Sequence, residues 1–205
     1  MSTPLLFAAA RGYHRIARLL PETGRVEIDR PDKFGRTPLS HMAQHGYKAG
    51  VRSLLDMGAN PNTEAKATFI GAQFYNGRTL LSFAAEKGHE SIAELLITKG
   101  ASVGLRPTSE AKSTRLAPFS YAARNGHEGV IRALVETGQA DPNSPDSNGR
   151  TPLSYAAEKG LTSVVRLLLE QYNSDPGYMD KGGHTSLSDA AKNGHVGFIR
   201  ELPIS

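Results

Sequence analysis

One twelve-residue phrase recurs along this chain. Residues Gly149–Gly160 read GRTPLSYAAEKG, and residues Gly77–Gly88 read GRTLLSFAAEKG, a near-copy that lies 72 positions earlier. A third version, GRTPLSHMAQHG, occupies Gly35–Gly46. A catalytic motif needs to occur only once, so the recurrence indicates a repeated architecture.

The phase of the repeat follows from the residue that begins each copy. These residues are separated by 34, 42, 38, 34 and 34 positions, and they are Thr3, Thr37, Thr79, Ala117, Thr151 and Thr185. A period of about 33 residues is typical of stacked helical units. The two longer intervals place extra residues in two neighbouring connections.

Within one unit the sequence predicts two short helices. Thr151 is a suitable N-cap, and Pro152 fits the first helical position, where its missing N–H costs nothing. Gly160 can close this first helix in a left-handed conformation. A second helix is predicted from an apolar stripe that comprises Val164, Val165, Leu168 and Leu169. One unit cannot bury both helices alone, so neighbouring units are expected to stack.

The pattern resembles the ankyrin repeat, whose T-P-L-H-x-A signature is matched by TPLSHMA, TPLSYAA and TLLSFAA, and less well by TPLLFAA, APFSYAA and TSLSDAA. The resemblance covers the whole chain as a single array of six units, of which the outer two are incomplete. It implies an all-α solenoid of helix-turn-helix units with β-hairpin or loop fingers. The expected unit boundaries are 1–32, 33–74, 75–112, 113–146, 147–180 and 181–205.

Two departures from the ankyrin pattern concern the scaffold. Five units carry Ser where the family usually has His, and a Ser hydroxyl is expected to make only a shorter hydrogen bond there; these are Ser40, Ser82, Ser120, Ser154 and Ser188. The family's Gly-His pair after the first helix survives in three units. The resemblance implies a scaffold role for these histidines, which are His89, His127 and His195.

The longer connections are the strongest sequence candidates for function. In ankyrin-like proteins they form fingers beside the inner helices, on the concave side where partners usually bind. Two interpretations stay open: the fingers carry a binding hot spot of aromatic and cationic residues, or they are tolerated insertions that pack onto their own units. The candidate partner-binding residues, from the fingers and the inner helices together, are His45, Phe69, Phe74, Tyr75, Arg78, Lys87, Arg106, Arg115 and Arg124.

The inner-helix positions and the finger arginines give this surface a basic balance. An acidic protein segment or an anionic ligand would suit it, although the arginine that precedes each Thr can instead pair with a nearby carboxylate, for example Arg150 with Asp146. His41 and His45 have the i, i+4 spacing of metal ligands, but no third ligand is identifiable, so no metal site is predicted.

Composition and the absence of known motifs argue against several classes of function. The chain has 205 residues, 39% hydrophobic content, no Cys and a net charge of +4. No disulfide or thiol chemistry is available, and neither a nucleotide-binding glycine motif nor a nucleophile elbow occurs. The apolar run near Met1 is too short for a membrane span. These features predict no cofactor, no nucleic acid and no membrane partner, and a monomeric cytoplasmic or nuclear protein. The chain is either a complete small protein with two abbreviated caps or an excised array, and its start at Met1 favours the first.

The leading functional hypothesis is a non-catalytic scaffold that binds another protein through its concave face and two extended fingers. The alternative is a small-molecule binder or unconventional enzyme with a pocket in the concave groove, which a closed cavity lined by converging polar groups would favour. The absence of a catalytic motif favours the scaffold.

Overall fold

The computed structural model describes residues 3–22, 24, 26–65, 78–104 and 116–201. Within these ranges the helices come in six consecutive pairs, each a first helix, a tight turn and a second helix. They are α1 (Pro4–Ala10) and α2 (His14–Glu22), α3 (Pro38–Gln44) and α4 (Lys48–Asp56), α5 (Leu80–Lys87) and α6 (Glu90–Thr98), α7 (Pro118–Asn125) and α8 (Glu128–Glu136), α9 (Pro152–Glu158) and α10 (Thr162–Glu170), and α11 (Ser186–Lys192) and α12 (Val196–Glu201).

The first helices begin where the sequence predicts. Thr151 is extended, and its hydroxyl accepts a hydrogen bond of 3.3 Å from the backbone N–H of Ser154. The Ser154 hydroxyl in turn donates to the Thr151 carbonyl at 2.7 Å, so the Ser makes the short local bond expected of it. Thr37, Thr79 and Thr185 start their helices with the same pair of bonds.

Two layers result from stacking the pairs. Each first helix packs on the first helix of the next pair, and each second helix packs on the next second helix. The core lies between the layers and is continuous along the stack, with Leu39, Leu81, Ile131 and Val165 at most 1% exposed. Because each pair contributes to the core of its neighbours, the array behaves as one packed unit.

A glycine and a ring join consecutive pairs at the turn between the two helices. Gly88 has φ 70°, and a Cβ placed on it would lie 2.5 Å from Nδ1 of His127 in the next pair. The His127 Nε2–H donates to the Glu86 carbonyl at 3.0 Å. The same arrangement holds His89 to the Gln44 carbonyl at 3.3 Å and His195 to the Glu158 carbonyl at 2.9 Å. These three histidines therefore serve the scaffold.

The connections between pairs are turn-rich. A two-residue antiparallel ladder forms at the base of the first long finger, where β1 (Glu64–Ala65) pairs with β2 (Arg78–Thr79) and Glu64 lies opposite Thr79. No helix in the described ranges combines the length and apolar character needed to cross a bilayer.

Candidate partner-binding surface

The exposed ends of the first helices form one surface, here called the inner row. It consists of the two residues that precede the closing glycine in each pair: Ala10 and Arg11, Gln44 and His45, Glu86 and Lys87, Arg124 and Asn125, Glu158 and Lys159, and Lys192 and Asn193. Stacking of the first helices places these residues side by side, one step per pair.

Arg78 lies at the base of the first long finger and is largely used by the scaffold. Its guanidinium is 4.2 Å from the centre of the Phe83 ring and 4.5 Å from that of Tyr121. It also forms a 2.6 Å ion pair with Glu86, and its side chain is only 10% exposed. Arg78 thus ties the third pair to the fourth, and its predicted role in partner binding stays a prediction.

Arg150 repeats this arrangement two pairs further along. Its guanidinium lies 4.3 Å from the Tyr155 ring centre and pairs with Glu158 and, at 3.1 Å, with Asp189 of the last pair. Asp146, the partner suggested by the sequence, instead accepts the backbone N–H of Arg150 and the hydroxyl of Tyr155. Burial and this hydrogen bond to Asp146 raise the pKa of Tyr155.

The second pair carries a related cluster around His41. Arg36 pairs with Asp32 at 2.8 Å, and the His41 Nε2 lies 3.4 Å from the same carboxylate. Burial lowers the pKa of His41, and the positive charge of Arg36 lowers it further, which outweighs the opposing effect of Asp32. Burial opposes ionisation of Asp32, but hydrogen bonds from Arg36 and Phe34 hold its pKa below its ordinary value.

His45 belongs to the inner row and is exposed. Its Nδ1–H donates to the His41 carbonyl at 2.7 Å, and its ring stacks on Tyr47 with centres 5.8 Å apart. No group of three or more His, Cys, Asp or Glu residues suited to a metal ion occurs in the part of the chain that the structure describes.

What the inner row presents to solvent is mainly positive. Five exposed cations line it: Arg11, Lys87, Arg124, Lys159 and Lys192. The carboxylates beside them are already engaged, because Glu86 pairs with Arg78, while Glu158 and Asp189 pair with Arg150. Lys159 also lies 3.6 Å from Glu158, as an exposed second partner of that carboxylate. Arg124 also lies 5.8 Å from the Tyr155 ring centre. The row can therefore attract negative charge without first breaking an internal ion pair of Arg78 or Arg150.

The remaining candidates from the sequence lie outside the described residues. These are the finger residues Phe69, Phe74, Tyr75, Arg106 and Arg115. Among the described candidates, the structure brings Lys87 and Arg124 onto one surface with His45, and it places Arg78 beneath that surface.

Sequence reasoning named the inner-row positions and left open that the finger arginines pair with nearby carboxylates, but it did not name Glu86 and Glu158 as the partners of Arg78 and Arg150. The sequence contains a signal for these ion pairs, because an Arg is followed eight residues later by a Glu in two units. These residues are Arg78 with Glu86 and Arg150 with Glu158.

The described residues line three open clefts that none of the inner-row residues contributes to. One of about 430 Å³ is lined by Asp29, Thr37, Asn62 and Glu64 at the finger bases. A second, of about 450 Å³, lies at the turn around His89 and Glu90, and a third, of about 610 Å³, lies beside Asn173 and Glu201. These three open clefts do not supply the closed concave pocket that would favour a small-molecule binder.

Comparison with protein families gives ankyrin-repeat matches over most of the chain. A family described as ankyrin repeats in three copies matches residues 1–65 and 119–203, and a single ankyrin repeat matches residues 76–107.

Curated relatives are similar only in part. The ankyrin repeat and KH domain-containing protein mask of Drosophila melanogaster is 35% identical over 51% of this chain and 2% of its own length. The probable E3 ubiquitin-protein ligase XBOS32 of Oryza sativa subsp. japonica is 29% identical over 73% of this chain and 34% of its own. The chain therefore spans about a third or less of these two relatives.

Solved structures share the fold. A crystal structure of an ankyrin repeat protein aligns with a TM-score of 0.80 at 21% identity and covers 98% of this chain and 96% of the other. A chain in the complex of a predatory endopeptidase from Bdellovibrio bacteriovorus with an immunity protein gives a TM-score of 0.80 at 22% identity, covering 98% of this chain and 100% of that one.

Proposed function

The chain belongs to the ankyrin-repeat family, and we propose that it is a non-catalytic scaffold that binds an acidic segment of another protein along its inner row. The observation that carries the proposal is the row of five exposed cations, whose neighbouring carboxylates are held by Arg78 and Arg150. A surface of one sign steers an oppositely charged partner and aligns it along the row.

The rigidity of the surface supports the same function. In the internal pairs, the inner-row residues sit at the ends of largely buried helices, and Phe83, Ala84 and Ala85 beneath Glu86 are at most 1% exposed. Side chains carried on a preordered backbone lose little entropy when a partner binds. The two long fingers, with Phe69, Phe74, Tyr75, Arg106 and Arg115, are proposed to form a wall beside this row.

Two comparisons are compatible with a binding role. A chain of the same fold occurs in a complex between an endopeptidase and an immunity protein, and ankyrin repeats generally bind other proteins. The cytoplasm or nucleus, predicted from the sequence, stays the proposed location.

Charge reversal tests the proposal. The variant Lys87→Glu, Arg124→Glu, Lys159→Glu replaces three inner-row cations, and we expect it to bind its protein partner at least about tenfold more weakly. The partner is first obtained by affinity capture with the intact chain, and affinity is then measured by titration calorimetry at several salt concentrations. Binding to the intact chain is expected to weaken as salt rises, because screening acts on exposed charge pairs.

The matched control makes the same change at three exposed cations of the second helices, Lys48, Arg52 and Arg132. It has the same net charge but an unchanged inner row, so it should bind as the intact chain does. Equal losses in both variants would mean that only net charge matters, and an inner-row variant with full affinity would place the binding surface elsewhere.

A further inference from the structure

The exposed large apolar side chains of the described residues gather at the two ends of the stack. Nine such side chains are exposed, and seven of them belong to the first or the last helix pair. Those seven are Phe7, Tyr13, Ile16 and Leu19 in the first pair and Leu187, Val196 and Ile199 in the last. The other two lie in the loop before the last pair.

At the first pair, the exposed residues occupy positions that elsewhere face a preceding pair. Ile16 is 49% exposed, although its equivalents Ile92, Val130, Val164 and Phe198 are at most 1% exposed. Each of these equivalents belongs to a second helix with another pair stacked before it. Ile16 therefore lies on the face that receives a preceding pair.

At the last pair, Ile199 and Leu187 occupy positions that elsewhere face a following pair. Ile199 is 48% exposed, whereas its equivalents Val51, Ala93, Ile131 and Val165 are fully buried. Leu187 is 41% exposed, whereas the corresponding leucines and phenylalanine of the five earlier pairs are at most 4% exposed. The last pair thus presents the opposite half of the same interface.

The contact between a glycine and a ring is also incomplete at each end of the stack, because one end carries only the glycine and the other only the ring. A Cβ on Gly12, Gly46, Gly88 or Gly160 would lie within 3 Å of a ring atom from the next pair, but Gly194 has nothing within 4 Å. Tyr13, which has the position of those rings in the first pair, is 47% exposed. Gly194 has no ring from a following pair above it, and Tyr13 has no glycine from a preceding pair to pack on.

We propose that the last helix pair of one copy of this chain stacks on the first helix pair of a second copy and continues the solenoid. In this arrangement Ile199 and Leu187 of one copy pack against Ile16 and Leu19 of the other, and Tyr13 covers Gly194. The contact reproduces an interface that the chain already makes five times internally. It is heterologous and does not close, so it extends into short filaments rather than stopping at a symmetric dimer.

The charges around this contact set its salt dependence. Both ends carry cations: Arg15 and Arg18 lie on α2, and Arg200 lies on α12, where the neighbouring Glu201 is already paired with Arg166 of the preceding helix pair. Repulsion between these cations opposes the apolar contact of the two copies, and added salt weakens that repulsion by screening it. Self-association should therefore strengthen as salt rises, whereas binding of an acidic partner to the inner row should weaken.

The test uses two variants that each block one end. Ile16→Arg places a charge in the first face, and Ile199→Arg places one in the last; burying either charge in a contact would be costly. Sedimentation equilibrium from micromolar to near-millimolar concentration should show the intact chain assembling, and each variant alone should keep the mass of one chain. Ser163→Arg, an exposed position on α10, is the control and should assemble as the intact chain does.

Mixing the two variants gives the decisive result. Each retains one functional end, so the mixture should form a dimer of one copy of each and nothing larger. Circular dichroism and urea unfolding check that both variants fold; if Ile16→Arg did not, Leu19→Arg replaces it at a more exposed position of the same face.

Three outcomes would overturn the proposal. The intact chain could keep the mass of one chain at every concentration and salt level. A variant blocked at one end could assemble as far as the intact chain does. Finally, the mixture could fail to form the dimer although both variants are folded. The first outcome would restore the monomer expected from the sequence and leave the ends for a different protein.

Discussion

Asp29→Asn should stabilise the protein, because Asp29 occupies a position that two other units fill with Asn. The Asp29 Oδ2 accepts the backbone N–H of Asn60 at 3.0 Å, but its Oδ1 is buried and has no hydrogen-bond partner among the described residues. At the equivalent position, Asn62 accepts the backbone N–H of Ser102 at 2.8 Å and also donates to the Gly100 carbonyl at 3.1 Å.

The size of the effect follows from this comparison. An amide at position 29 keeps the bond from Asn60 and can donate to the carbonyl of Gly58, which corresponds to Gly100. Gaining one hydrogen bond and removing an unsatisfied buried oxygen is worth about 1 kcal/mol. For a chain of this length that corresponds to a rise in melting temperature of about 2–4 °C.

Urea titration and scanning calorimetry measure the change, with the reverse substitution Asn62→Asp as the matched control. That control removes the donor to Gly100 and leaves a carboxylate oxygen facing a carbonyl, so it should lower stability by a similar amount. If Asp29→Asn were neutral while Asn62→Asp were destabilising, the assignment of Gly58 as the missing acceptor would be wrong. If both were neutral, the amide bonds at these positions would contribute nothing.

Two other perturbations follow from contacts in the first helices. Gly88→Ala should lower stability by about 1–3 kcal/mol in urea unfolding, because it combines a left-handed backbone with a Cβ 2.5 Å from His127, and Gly100→Ala, at φ 85° with nothing within 4 Å, should lose less; equal losses would show that the ring contact is irrelevant. Stability should fall as pH drops below about 6.5, because the lowered pKa of His41 means that the unfolded chain takes up a proton more readily than the folded one. His41→Phe, which matches Phe83 in the next unit, should flatten that part of the urea midpoint profile between pH 7 and 5, and an unchanged slope would refute the role of His41.

The scaffold could be predicted from the sequence because its signals are local. Thr151 before Pro152 and Gly160 after the helix fix where a first helix begins and ends. The structure confirms the predicted helix pairs, and the family comparison confirms the ankyrin repeats. The partner atom of His127 could not be predicted, because the Glu86 carbonyl lies 41 residues away and is brought near only by stacking.

The candidate surface could be predicted less well. The inner-row positions follow from the phase of the repeat, but the state of each charge depends on contacts between units. Arg78 reads as an exposed cation in the sequence, yet it is enclosed by Phe83 from its own unit and Tyr121 from the next. The exposed ends could not be predicted, because Ile16 and Ile199 have the sequence pattern of core residues. They are exposed only because no helix pair is stacked on them.

The contact of glycine and ring bears on how such a chain can change its length over generations. The glycine belongs to one unit and the side chain that covers it to the next, so duplication or deletion of an internal unit leaves each glycine that has a following unit covered in the same way. The closing glycine is present in all six units, whereas the position that covers it varies as Tyr, His or Leu. Recombination between units can therefore exchange inner-row side chains while the contact that stacks one unit on the next stays the same. New binding surfaces can arise in this way without new stacking contacts.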